Sequence, residues 1–160
     1  MRVLSVDPGY DRLGVAVLEK TKEKEKLLYS GCIITNRQDD IGERLNVLGQ
    51  EFKILLEKYQ PDMVAVENLF FNKNQKTAVV VAEARGVVVY LSKQAGCCLS
   101  EFGPQEIKVA VTGYGKSDKK QVVEMVKRLI PNAPDQALDD EYDAIAVGLT
   151  ALAHHRPTVD

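Results

Sequence analysis

The chain has 160 residues, 45% of them hydrophobic and 28% charged, with a formal net charge of −2. That length suits one domain over residues 1–160 burying roughly 70% of the surface its unfolded chain exposes, so neither disulfides nor a structural metal are needed as staples. No apolar run nears the roughly 20 residues of a membrane span, and the slightly acidic balance argues against a chain that is basic throughout, as many nucleic-acid binders are.

In chain order, Arg2-Val3-Leu4-Ser5-Val6-Asp7-Pro8-Gly9 reads as a buried strand that ends in a carboxylate and is stopped at once by Pro-Gly. Asp7 and Pro8 interrupt this run too early for a secretion signal, so the expected location is the cytoplasm. Residues 12–20 and 26–35 are short β-type runs separated by a charged turn, and with the first strand they predict an antiparallel meander. Asp39 or Asp40 then caps a helix whose apolar positions are Ile41, Leu45, Leu48, Phe52 and Leu55, with Glu43, Arg44, Glu51, Lys53 and Glu57 expected on the solvent side. That helix returns the chain to a second apolar strand, residues 62–67, which ends in Glu67 and should run parallel to an earlier strand.

The loop over residues 68–76 places Phe70, Phe71, Lys73 and Lys76 beside that acid. One aromatic could stack on an unpaired base while the lysines hold the backbone, or the rings could tuck into the core. Residues 77–95 have helix length but are apolar on nearly every face, as expected of a helix covered on both sides, by the sheet and by a second subunit. Val88 is the position expected in that interface. A fifth strand (97–102), a short helix or strand (104–111), a basic helix capped by Ser117 or Asp118 (117–130) and a final helix (138–154) complete the chain.

Charge is unevenly placed. Residues 104–130 hold six bases against three acids, whereas residues 131–160 hold Asp135, Asp139, Asp140, Glu141, Asp143 and Asp160 against Arg156 alone. A basic stretch beside an acidic one suits a site that grips phosphates with one part and metals with the other. Cys32, Cys97 and Cys98 lack metal-ligand spacing and read as small core residues, and His154 and His155 as part of an exposed tail.

Asp140 and Asp143, spaced i, i+3, share one helix face. Helix capping explains acids at 139–141, but Asp143 adjoins the apolar Ala144-Ile145-Ala146-Val147, where an uncompensated charge is costly. If the final helix docks on the ends of two parallel strands, Asp7, Glu67, Asp140 and Asp143 converge. Four carboxylates repel unless cations sit among them, so this is a candidate divalent-metal site. Gly113-Tyr114-Gly115-Lys116-Ser117 imitates a phosphate-binding P-loop, but Ala110 stands where that pattern requires glycine. Reading Asp7-Pro8-Gly9 as the phosphate loop of an actin-like kinase would require a second such domain.

Together, Val6-Asp7-Pro8-Gly9, Glu67 followed by Phe70 and Lys73-Asn74, Ala84-Arg85-Gly86, Gly113-Tyr114-Gly115 with Lys119 and Gln121-Val122, and Asp140-x-x-Asp143-Ala144-Ile145-Ala146 occur in an order and spacing that resemble the RuvC-type Holliday junction resolvases, over essentially the whole chain. The resemblance implies an α/β, RNase H-like fold with a five-stranded mixed sheet flanked by helices, acting as a homodimer on four-way junction DNA. It implies catalytic and metal-binding roles for Asp7, Glu67, Asp140 and Asp143, with two Mg²⁺ per site and Mn²⁺ able to substitute. Lys119 is expected to stabilise the transition state, and Phe70, Lys73, Lys108, Lys116 and Lys120 to contact DNA. A branch-migration complex of the RuvA and RuvB type is the expected partner. Glu141-Tyr142 departs from the small residues usual between the last two acids, and Asp139 competes with Asp140 for the ligand role.

Overall fold

The computed structural model describes residues 1–22, 24–68 and 75–155, apart from the side chains of Gln75 and Lys76. Phe70, Phe71, Lys73 and Asn74 lie outside the described residues, and with them the reading of the 68–76 loop. In chain order come β1 (Arg2–Asp7), β2 (Arg12–Lys20), β3 (Glu25–Ile34), α1 (Ile41–Tyr59), β4 (Met63–Glu67), α2 (Gln75–Gln94), β5 (Cys98–Phe102), α3 (Pro104–Thr112), α4 (Lys119–Leu129) and α5 (Asp139–His154).

The strands form one sheet in the order β3-β2-β1-β4-β5. β1, β2 and β3 pair antiparallel, and β4 and β5 add parallel strands beside β1, as the α1 crossover requires. Because side chains alternate along a strand, the sheet has two apolar faces. Val3, Ser5, Ala16, Leu18 and Ala65 face α3, α4 and α5, while Leu4, Val6, Leu13, Val15, Val17, Val64 and Val66 face α1 and α2. Along β1, β2 and β4 both faces are buried, which is why these strands read as continuous apolar runs rather than as alternating ones.

α5 carries the long apolar run 144–152 and lies across β1 and β2. Two small residues set its distance from the sheet. A Cβ on Gly148 would overlap Leu18 and Ser5, and one on Gly14 would run into the main-chain carbonyl of Asp140. Ser5, fully buried, donates a hydrogen bond to the Ala144 carbonyl (2.6 Å), tying β1 to the same turn of α5.

Some expectations are corrected, and alternatives left open are decided. Arg44 is on the buried side of α1, where it bonds to Thr35 Oγ1 (3.0 Å), the Tyr10 carbonyl (3.2 Å) and Asp11, because the chain after β1 folds over it and supplies acceptors. Asp40, rather than Asp39, caps α1, accepting from Gly42 and Glu43. Residues 104–112 are helical, with Pro104 at the first turn and Gly113 in a left-handed conformation at the end. His154 ends α5 and is exposed, as expected, although its ring lies against Phe102 (centroids 5.3 Å apart) and its Nε2 is 3.2 Å from Glu106. Cys97 is buried as expected, but Cys98 is exposed.

α2 is less apolar in its setting than in its sequence. Ala84, Val88 and Ser92, one turn apart, pack against the sheet, whereas Val79, Glu83, Gly86, Tyr90 and Lys93 face outward. Val88 is therefore a core residue and cannot be the interface position expected from the sequence. The outward face shares with α1 a cavity of about 770 Å³ lined by Leu45, Gly49, Val87, Tyr90 and Leu91 among others. Among the described residues no helix is long and apolar enough to cross a membrane.

Candidate active site

β1 and β4 are parallel neighbours in which Ser5 pairs with Ala65 and Val6 with Val66. The next residues of each strand are Asp7 and Glu67, and alternation turns both toward α5. Asp7 also pairs across the sheet with Gly14, over which the Asp140 backbone rests. The first turn of α5 is thereby set above the carboxyl ends of β1 and β4, and Asp143 follows one helical turn deeper.

The electrostatics match this convergence. Burial first, then the charges of Glu67, Asp143 and Asp140, push the Asp7 carboxyl up to about 8. Glu67 is raised by burial and by Asp143, opposed by a hydrogen bond with Asp7 and by Lys119 and Lys108. Without an added cation Asp7 keeps its proton at neutral pH and offers it to Glu67. Asp143 is raised by burial and by its acidic neighbours, against the pull of Lys119.

Lys119 is the first residue of α4, a place where the helix dipole disfavours a cation. Asp118 caps the helix in a reciprocal pair with Gln121, which fixes the direction in which Lys119 leaves it. Its Nζ lies 3.1 Å from Asp143 and 3.2 Å from Asp139. These hydrogen bonds raise the ammonium pKa even though burial opposes them. Lys119 breaks a local preference to reach the acids, as functional residues often do.

Arg12, at the start of β2, occupies the opposite flank with Nε 2.9 Å from Asp140 Oδ2. That oxygen is buried and accepts no hydrogen bond, because the guanidinium approaches off the favourable direction. With Asp140 drawn toward Arg12 and Asp143 toward Lys119, no three acid, histidine or cysteine side chains among the described residues stand ready around a single point. The donor set nonetheless fits hard divalent cations. All four donors are carboxylates, one retains a proton for want of a counter-charge, and another has a buried oxygen without a hydrogen-bond donor.

Beside the acids is a cavity of about 220 Å³ lined by Glu67, Lys108, Lys119, Asp143 and four other residues. Lys108 and Lys119 thus share one rim. Lys116 and Lys120 are exposed near the start of α4 but do not line it. Asp140 and Asp139 are separated clearly: Asp140 bears on Asp7, while Asp139 stands 67% exposed on the outer side of Lys119. Glu141, the acid between the last two candidates, is taken up by Ser30 of β3. Sequence reasoning missed Arg12 and Gly14. The available signal was register: a hairpin that pairs Asp7 with Gly14 brings residue 12 back to the acid end of the sheet.

This sheet order, with acids at the ends of its adjacent central strands and on the closing helix, defines an RNase H-like nuclease architecture. Residues 3–154 match the family model "Crossover junction endodeoxyribonuclease RuvC". The chain is 46% identical over 147 residues to the crossover junction endodeoxyribonuclease RuvC of Thermosipho melanesiensis, covering 92% of this chain and 94% of that one. Among solved structures, Thermus thermophilus RuvC in complex with Holliday junction substrate superposes with a TM-score of 0.87 at 30% identity, covering 94% of this chain and 92% of that chain. The yeast mitochondrial Holliday junction resolvase shares the fold at 14% identity and a TM-score of 0.70, over 94% of this chain and 77% of its own. The chain belongs to the RuvC crossover junction endodeoxyribonuclease family.

Proposed function

We propose that this protein resolves Holliday junctions in DNA recombination and repair, hydrolysing one phosphodiester in each of two opposed strands. The observation that carries this reading is the meeting of Asp7, Glu67, Asp140 and Asp143 with Lys119, in a chain of this family. The whole of residues 1–160 is read as a single nuclease domain. Asp7, Glu67, Asp140 and Asp143 would hold two Mg²⁺, with Mn²⁺ able to substitute. When bound, such a pair would lower the pKa of the attacking water and offset the charge that builds on the phosphate oxygens and on the departing 3′ oxygen.

The residues of the chain do the rest. Asp7 gives up its proton as the site charges, and its rigid place at the end of β1 orients the attack. Lys119, released from Asp143, donates to the non-bridging oxygens as their charge develops. Lys108 holds the neighbouring backbone phosphate from the same rim, and Lys116 and Lys120 continue the positive surface along α4. Phe70 and Lys73, which follow Glu67 in sequence, are proposed to engage the junction itself.

A junction cut at two symmetric places calls for two sites related by a two-fold axis, hence a homodimer. The outward face of α2 and its groove with α1 support that arrangement, because Val79 and Tyr90 are apolar or aromatic yet 58% and 64% exposed. A cytoplasmic setting and a RuvA and RuvB type partner complete the reading.

The test is cleavage of a synthetic four-way junction, against duplex and single strand, in Mg²⁺ and in EDTA, with the wild type and Asp7→Asn. Paired symmetric nicks that need both Mg²⁺ and Asp7 are expected. Cutting without junction preference would make it a nuclease for another structured nucleic acid, and tight binding without cutting would leave a junction-binding protein.

A further inference from the structure

Arg12 has no role in the scheme above, yet several features of the structure converge on it. It opens β2 on the face that α5 covers, two residues before the glycine on which the Asp140 backbone rests. The turn that presents it is tightly built, since a side chain on Gly9 would collide with the Arg12 carbonyl. Its neighbour Asp11 is anchored by Arg44 and by Arg37 at 2.9 Å. The guanidinium meets Asp140 through charge at 2.9 Å without donating a hydrogen bond to that buried oxygen. On the other flank Lys119 holds Asp143. Each of these two α5 acids therefore has its own side-chain cation, delivered from a different element.

We propose that Arg12 is an exchangeable counter-cation for Asp140, displaced when a divalent cation takes that carboxylate and then free to grip the phosphate drawn to the same place. The inference rests on the metal-dependent reading given above. A guanidinium about half exposed and off hydrogen-bond direction is weakly held, whereas a divalent cation bonds the carboxylate oxygen directly. Once released, the planar fork of N–H donors suits a phosphate better than an ammonium would. Because the turn holds the Arg12 backbone in place, the guanidinium has little distance to travel.

The test uses the full chain with Arg12→Gln and Arg12→Lys, all four acids being left in place. Mn²⁺ affinity of the DNA-free proteins is read by water-proton relaxation, and junction affinity by gel shift in EDTA and in Ca²⁺, a hard cation that carboxylates bind but that is a poor activator of phosphodiester hydrolysis. Removing a half-exposed ionic competitor should make Arg12→Gln bind Mn²⁺ roughly two- to five-fold more tightly. Arg12→Lys should stay near the wild type in Mn²⁺ affinity. Arg12→Gln should weaken junction binding several-fold in Ca²⁺ and hardly at all in EDTA. Equal Mn²⁺ affinity in wild type and Arg12→Gln, at a site that Asp7→Asn abolishes, would overturn this inference alone. Mn²⁺ binding that is absent, or indifferent to Asp7→Asn, would sink the metal-dependent reading as well.

Discussion

Replacing Asp7 by asparagine should stabilise the metal-free protein at high pH. The Asp7 carboxyl, ordinarily near 3.8, is pushed up to about 8, chiefly by burial and then by the neighbouring acids. A raised acid pKa means that the folded state holds a proton the unfolded chain has released, so stability is fullest below pH 4 and is lost as pH rises toward 8. Integrated between pH 5 and pH 9, that single group removes on the order of 4 kcal/mol. Asparagine has the same shape, cannot ionise, and can still donate to Glu67. Urea unfolding in EDTA at pH 5, 7 and 9 should therefore give curves that lie closest at pH 5 and separate further as pH rises, with Asp7→Asn the more stable protein. Adding Mg²⁺ should reverse the order at pH 8, because the wild type gains a ligand as it releases its proton and the variant does not. Parallel pH profiles, or equal stabilisation of both proteins by Mg²⁺, would show that Asp7 is not the buried, like-charged centre described above.

Two further outcomes follow from the packing. Gly14→Ala sets a methyl group against the Asp140 carbonyl, a main-chain group that cannot swing aside as a flexible side chain would. It should cost about 1–3 kcal/mol in urea unfolding and lower junction cleavage at least tenfold, with the circular dichroism spectrum retained; wild-type cleavage would mean that α5 need not rest on β2. Tyr90→Glu, on the exposed face of α2, should move the protein toward monomer in sedimentation while its unfolding midpoint holds, whereas Val88→Glu should unfold it by placing a charge in the core. A persistent Tyr90→Glu dimer would move the interface elsewhere.

The sequence by itself determined the elements and most of the acids. Apolar β-branched runs ending in Asp7 and Glu67, the period of α1 and the proline breaks before α5 are local signals, and a local signal survives without knowledge of neighbours. Strand alternation then required the two terminal acids, once paired in register, to share a face. What lies across that face is not written locally. Arg44 looks like a solvent residue until the chain after β1 folds over it, and Val88 looks like an interface residue until α2 is rotated onto the sheet. Asp139 and Asp140 are equivalent in sequence, but only Asp140 stands over Gly14 and bears on Asp7. Tertiary structure alone recruited Arg12 to Asp140, and it paired Lys119, expected at the site from the resemblance, with Asp143 from a separate element. Like charges in a buried site must find counter-charges wherever the fold can bring them, and distance along the chain does not limit that choice.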